Sequence, residues 1–270
     1  MTLVLNNELA EKLNQSEMDA LRSRLTAIQQ IQGNPMGVEI QKFGQATAFS
    51  VQNIPGPAFN TVKGLKAGDE PYIEQILAFY KQKEIPARFE LTPAAASSEL
   101  LTCLSEAGYY QHDFYTTLYT SLSKVNIETS NPPKLSIRKL EGREFDIFAH
   151  IYVKGFGMPE FLKSGVAQNN EVLYDNGHWT FYLAAYKGEA AGIGVLFMKD
   201  SIATLAAAAT VPSIRNKGIQ SELIKHRIGE AIEKECNLIV GQAKFGTVSH
   251  NNMERAGLQV AYTKAIWIAK

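Results

Sequence analysis

Cysteine is almost missing from this sequence: among 270 residues only Cys103 and Cys236 carry thiols, far apart and each in a helical pattern. Two such thiols fit buried apolar residues of a reducing compartment better than a disulfide framework. A surplus of charge is missing too, with 27 Lys and Arg against 27 Asp and Glu. Nucleic-acid binding draws on an excess of positive charge on one face, so nucleic acid is not expected as the main partner, although a local basic patch remains open. No apolar run reaches bilayer-spanning length, and the first residues carry neither a basic segment nor an apolar core of signal length. A cytoplasmic protein with no membrane partner is the expectation. The sequence also lacks a Gly-x-x-x-x-Gly-Lys-Ser/Thr loop, and Gly192-Ile193-Gly194 lies inside a strand pattern without dinucleotide-fold spacing. No His, Cys or carboxylate cluster has metal-ligand spacing, so no metal is expected.

What is present is enough for a substantial core: 45% hydrophobic and 10% aromatic residues. The length suits one large domain or two of ordinary size. Leu9, Leu13, Leu21, Leu25 and Ile28 fall near helical spacing over Glu8 to Ile31, and Gly33-Asn34-Pro35 ends that pattern. Two short strands follow around Gly44, then the turn-rich Pro55-Gly56-Pro57. Tyr72 to Tyr80 reads as a helix, Arg88 to Leu91 as a strand, Ser97 to Ala107 as a helix, and Phe114 to Tyr119 as a strand. Ser123 to Lys134 is polar and proline-rich, unable to extend a helix or a central strand, and reads as a linker.

Beyond it the pattern predicts a strand at Leu135 to Leu140, a helix at Glu144 to Tyr152 and a loop-rich segment. A hairpin follows, formed by Trp179 to Tyr186 and Ala190 to Met198, then a strand at Ile202 to Val211. A helix opening at Gly218 carries Leu223, Ile224, Ile228, Ala231 and Ile232 on one stripe. The strand Leu238-Ile239-Val240, a helix ending at Gly257, and the strand Tyr262 to Ile268 complete the pattern. Ala107-Gly108-Tyr109 before one strand echoes Ala256-Gly257-Leu258 before another, which suggests a worn tandem repeat of one α/β unit.

The most informative stretch is Arg215-Asn216-Lys217-Gly218-Ile219-Gln220-Ser221. A strand, a short basic glycine loop and a helix N-terminus make a good cradle for a pyrophosphate. The first N–H groups of a helix have no intrahelical acceptor, and the helix dipole is positive there. Basic residues at that end oppose the dipole, and an anionic ligand explains the placement better than a solvated flank does.

Set with the strand order and the closing Asn252-Met253-Glu254-Arg255-Ala256-Gly257-Leu258, this loop resembles the GNAT superfamily of acyl-CoA N-acyltransferases. The family signature Gln/Arg-x-x-Gly-x-Gly/Ala reads Arg215-Asn216-Lys217-Gly218-Ile219-Gln220 here, with Gln220 at the usual Gly or Ala. The resemblance covers Leu135 to Lys270. It implies an α/β (α+β) fold of tandem GNAT-like domains, each a mixed, mostly antiparallel central sheet flanked by helices. The boundaries expected are an N-terminal helical region at 1–33, a degenerate GNAT-like domain at 34–122, a linker at 123–134 and the N-acetyltransferase domain at 135–270. In the first copy, Lys63 to Asp69 supplies no equivalent anion loop, and Asp69 and Glu70 would repel a phosphate.

The resemblance implies acetyl-CoA as co-substrate and direct attack by a primary amine of a small-molecule or peptide acceptor, in a monomer or homodimer. It assigns cofactor binding to Thr210, Val211, Arg215, Asn216, Lys217, Gly218, Ile219, Gln220, Ser221 and Asn252. The reaction must take a proton from the amine, stabilise an oxyanion and protonate a thiolate. The family commonly has Tyr where this chain has Met253, and a thioether has no proton to give. Tyr262, His250 and Ser249 are the remaining candidates for the acid, with Tyr262 and His250 put forward as catalytic. Each also has a structural reading as a sheet, cap or loop residue. Glu160 and His178 lie in the segment expected to cover the acceptor, water being the default base. The alternative is a non-catalytic acyl-CoA-binding regulatory module.

Overall fold

The structure is a computed structural model and describes residues 4–54, 56, 58–122 and 134–270. Pro55, Pro57 and all of the expected linker except Lys134 lie outside the described residues. The chain divides into two compact units, the first containing the residues up to Thr117 together with Ala243–Phe245 and Val260–Lys270. The second lies within Leu118–Gln242 and Gly246–Gln259. The final strand therefore counts with the first unit, where the sequence groups it with 135–270.

The first unit opens with α1 (Asn7–Gln29), whose first turn is capped by Asn6: its side-chain oxygen accepts from Leu9 N at 2.8 Å. β1 (Val38–Phe43) and β2 (Ala46–Val51) form an antiparallel hairpin, and β3 (Thr61–Lys63) pairs antiparallel to β2. α2 (Ile73–Lys81) leads to β4 (Arg88–Leu91), which lies parallel to β3 through the pair Val62 and Phe89. α3 (Ser98–Glu106), capped by Ser97, leads into β5 (Tyr109–Ser121). The last strand, Gln259–Ala269, becomes β11 below and pairs antiparallel with β4. α2 and α3 bury Ile76, Tyr80, Leu100 and Leu104 against Val62, Phe89 and Leu91. Each such side chain contributes roughly 1.5–3 kcal/mol by leaving water.

α1 brings a buried ionic cluster to this unit. Lys264 Nζ lies 2.6 Å from Glu17 Oε2 and 2.9 Å from Glu90 Oε2, and Lys63 and Arg88 also pair with Glu90. Thr117 Oγ1 donates to Glu17 Oε1 at 2.8 Å. Burial works against the Lys264 ammonium, but Glu17 and Glu90 outweigh it and raise its pKa. Burial would raise Glu90, yet Lys264, Lys63 and Arg88 hold it well below the usual carboxylate range.

The second unit repeats the plan. β6 (Leu135–Lys139) is followed by α4 (Phe145–Phe156) and α5 (Lys163–Glu171). α5 falls in the segment expected to be loop; its Gly165, Asn169 and Asn170 leave no apolar stripe to read. β7 (Trp179–Tyr186), β8 (Glu189–Lys199) and β9 (Ile202–Thr210) are antiparallel neighbours, and β6 adds antiparallel to β7. α6 (Ile219–Glu233) leads to β10 (Leu238–Lys244), parallel to β9. α7 (Val248–Arg255), capped by Thr247, precedes β11. An antiparallel run followed by a parallel strand thus occurs in both units, three strands and then β4 in the first, four and then β10 in the second.

α6 differs in one respect from the stripe expected for it. Leu223, Ile224, Ile228 and Ala231 are buried as predicted, but Ile232 is 40% exposed while Arg227 is 2% exposed. The charged side chain goes inward because strand carbonyls receive it.

Candidate functional site

Two breaks in the ladder of β9 open the site. The described pairing with β10 ends at Leu205 and Gly241, so from Ala206 onward β9 and β10 part. On the other edge Val195 pairs with Ala207 and Leu196 with Leu205, which leaves Ala206 as a bulge residue with no partner on β8. A cavity of about 900 Å³ lies here, wholly within the second unit, between β9, the start of α6, the last turn of α4 and α7.

The loop entering α6 forms one wall. Arg215 is extended, while Asn216 (φ 62°) and Gly218 (φ 79°) are left-handed. A Cβ on Gly218 would meet no protein atom within 4 Å, so glycine supplies the left-handed conformation and leaves that side open. No side chain caps α6, and the N–H groups of Ile219, Gln220 and Ser221 have no intrahelical acceptor. Gln220 Nε2 donates to Thr210 Oγ1 at 2.7 Å, tying helix start to strand end. This contact gives the departure at Gln220 a physical reason. Arg215 Nη2 donates to Gly155 O at 2.8 Å, and Gly155 has no room for a Cβ, which would approach Ala209 Cβ to 2.6 Å.

The charge balance of the lining is one-sided. Arg215, Lys217, Arg227 and Arg255 line the cavity, and no Asp, Glu, His, Tyr or Cys is among the lining residues described. Uncapped helix N–H groups, the three exposed cations Arg215, Lys217 and Arg255, and no competing carboxylate suit a ligand carrying several phosphates. Thr210, Arg215 to Ser221 and Asn252 all face this one cavity. Val211 does not line it; its N–H donates to Ala191 O at 2.9 Å.

The two side chains put forward for proton transfer stand elsewhere. Tyr262 belongs to the first unit, 8% exposed, with its hydroxyl donating to Ala10 O at 3.5 Å and its pKa raised by burial. His250 is 4% exposed; its Nδ1 accepts from Gly246 N at 3.1 Å and its Nε2 lies 3.5 Å from Glu254. It holds the turn into α7 and is not among the lining residues. Ser249 does line the cavity. Glu160 lies 3.7 Å from His150, and His178 bonds Met198 O at 2.8 Å. Ala206, Arg227, Gln242, Asn251 and Arg255 line the cavity without having been expected there. An alanine run conceals a bulge, and an arginine inside a helical pattern reads as a solvated charge.

The corresponding place in the first unit is closed by its own atoms. Asp69, 2% exposed, accepts from Gln45 N and Lys66 N, both at 3.0 Å, and Ala67 N donates to Ala95 O at 3.2 Å. A resident carboxylate thus takes the backbone donors that an anion would need.

Comparison with known proteins agrees with this geometry. The family model described as Acetyltransferase (GNAT) family matches residues 145–257. No curated protein matches the sequence. Among solved structures, a GCN5-related N-acetyltransferase from Kribbella flavida is similar with a TM-score of 0.66 at 13% identity, covering 91% of this chain and 95% of its own. A tandem GNAT protein from the clavulanic acid biosynthesis pathway gives 0.65 at 11% identity, with 95% and 96% covered. A functionally unknown conserved protein from Staphylococcus epidermidis gives 0.64 at 13% identity, with 90% and 96% covered. These likenesses show the fold: tandem GNAT over nearly the whole chain.

Proposed function

We propose that this chain, whose residues 145–257 form a domain of the GNAT acetyltransferase family, moves an acetyl group from acetyl-CoA to a primary amine. The observation that carries the proposal is the cavity at the β9–β10 parting, with the exposed cations Arg215, Lys217 and Arg255, an uncapped helix start and no carboxylate among the lining residues described. Backbone N–H groups from Lys217 to Ser221 hold the pyrophosphate, with Arg215 and Lys217 beside it. The bulge leaves Ala206 unpaired on β8 and in the cavity lining, and its N–H is the donor we assign to the carbonyl oxygen. The amine nitrogen attacks the thioester carbon and the C–S bond breaks. The amine loses one proton, the departing thiolate gains one, and amide and CoA result.

With no Asp, Glu, His, Tyr or Cys in the described lining, both proton transfers run through water held by polar groups such as Gln242, Ser249 and Asn252. The same lining gives a polycationic acceptor nothing to pair with, so the acceptor carries few positive charges beyond its reacting amine. The domain arrangement follows: a GNAT-like first half closed by Asp69 and a second half that binds the thioester.

Calorimetry with acetyl-CoA tests the cofactor half of this reading: wild type binds, and Gly218→Glu or the Arg215→Ala/Lys217→Ala double variant loses binding. An unchanged affinity in either variant would overturn it. The absence of Asp, Glu, His, Tyr and Cys from the described lining favours one second reading, a non-catalytic acyl-CoA-binding module. Thiol release from acetyl-CoA with any amine of a broad panel, abolished in the double variant, would rule that out.

A further inference from the structure

Among the described residues Arg227 is a buried cation with no carboxylate partner. It is 2% exposed, lies on the inward face of α6 and lines the cavity at its inner end, with Leu205 and Gln242. Its Nε donates to Leu223 O at 3.0 Å within the helix. Its Nη1 donates to Val195 O at 3.3 Å and Ala207 O at 3.2 Å, the pair of residues that borders the bulge. Gly194 makes this approach possible, since a Cβ there would stand 3.2 Å from Nε. Burial pushes the guanidinium down to about 10, so it stays charged at neutral pH.

A buried charge whose hydrogen bonds all go to backbone carbonyls, with the Tyr182 phenol as its electrostatic neighbour, is costly, and an apolar side chain would fill the same space without that cost. The position calls for what a fork of N–H donors can do that a hydrocarbon cannot. One guanidinium nitrogen spans a carbonyl on each side of the β8–β9 seam, at the pair next to the bulge. Holding Val195 O and Ala207 O pins the β8–β9 pair that closes the bulge, one residue beyond Ala206, and so restrains the stretch of chain that presents the Ala206 N–H.

We propose that Arg227 is the positioning residue for the acyl carbonyl: it holds the bulge in register, aims the Ala206 N–H and puts a fixed positive charge behind it. The inference rests on the acetyl-CoA reading of the cleft. Arg227 acts through the strand and belongs neither to the pyrophosphate cradle nor to the acceptor surface. Binding of CoA itself is therefore insensitive to it, while polarisation of the thioester depends on it.

The test uses the whole chain and three readouts: calorimetric affinity for CoA and for acetyl-CoA, the infrared carbonyl stretch of bound ¹³C-acetyl-CoA, and thiol release with hydroxylamine as a small acceptor. In wild type the bound carbonyl stretch lies below its value in water. Arg227→Gln is expected to return it toward the solution value and to slow thiol release about ten- to a hundredfold, less than loss of a direct oxyanion donor. Its affinity for CoA stays within about twofold of wild type, the signature of an interaction made late in the reaction. Arg227→Lys, which keeps the charge and two donors, recovers part of the stretch shift and of the rate, and serves as the probe if Arg227→Gln does not fold. An unshifted carbonyl in wild type, or a rate loss matched by an equal loss of CoA affinity in both variants, overturns the proposal. Failure of wild type to bind CoA overturns the cleft reading and this inference together. CoA binding with no effect of Arg227 on the carbonyl overturns this inference alone.

Discussion

The thioether of Met253 fills the space that a Cβ on Gly241 would need. Gly241 is the last β10 residue paired with β9, opposite Leu205, and Met253 is 3% exposed on α7. The residue at the family's usual tyrosine position is thus a packing group that wedges α7 against the fork of the cleft. Gly241→Ala is expected to cost about 1–2 kcal/mol by overpacking, and Met253→Ala about 2–4 kcal/mol through the void it leaves. Because the two share one space, the double variant is less destabilised than the sum. A double-mutant cycle from denaturant midpoints checks this, and strict additivity would contradict the contact.

Removing Lys217 by substitution with alanine is expected to weaken CoA binding about tenfold, the scale of one charge-assisted contact. The loss should shrink with added salt, because Lys217 is exposed and its field is screened. Isothermal titration at two ionic strengths measures both effects.

One acetyl-CoA per chain is the expected stoichiometry, since Asp69 already accepts from Gln45 N and Lys66 N in the first unit. Equilibrium dialysis or calorimetry giving two sites per chain would contradict the closure described above.

Acid should weaken the second unit through Glu144. Its hydrogen bond to Arg138 comes first among the causes that bring its pKa down from 4.5 to about 2, and the bond to the Glu141 N–H adds to it. A depressed folded-state pKa means the stabilisation is complete above about pH 4.5 and fades as pH falls toward 2. Arg138 is 50% exposed and screened, so the contribution is about 1 kcal/mol. Glu144→Gln should therefore lose about that much at pH 7 and very little near pH 2, as read from urea midpoints.

Lys264→Met removes one of the three cations that face Glu17 and Glu90 in the first unit. Breaking a buried pair costs about 3–5 kcal/mol because the carboxylates stay behind with less compensation. Thermal unfolding tests this. A variant as stable as wild type would mean that Lys63 and Arg88 suffice.

Much of this was legible in the sequence, for reasons specific to each part. Leu9, Leu13, Leu25 and Ile28 mark one face of α1, and Arg215 to Ser221 announces an anion cradle, because periodicity and local loop chemistry are written in adjacent residues. Nothing in the pattern singles out Glu17, Lys63, Glu90 and Lys264, and only three-dimensional pairing explains their burial. The bulge at Ala206 was hidden for another reason. Ala206 to Ala209 are all alanine, so a register shift within that run changes no pattern. Tyr262 was the natural choice for an acid by chemistry alone, but the pairing of β11 with β4 carries it into the first unit.

That last pairing bears on how the protein is made. The first unit contains residues 260–270, so a ribosome releases its N-terminal strands long before the strand that completes them exists. Until then β4 exposes an unpaired edge, a template for wrong partners, and closure must bridge a long stretch of intervening chain. Cotranslational folding of this half in the usual N-to-C order is therefore blocked at its last step. Deleting β11 would injure first the half that does not carry the cavity at the β9–β10 parting.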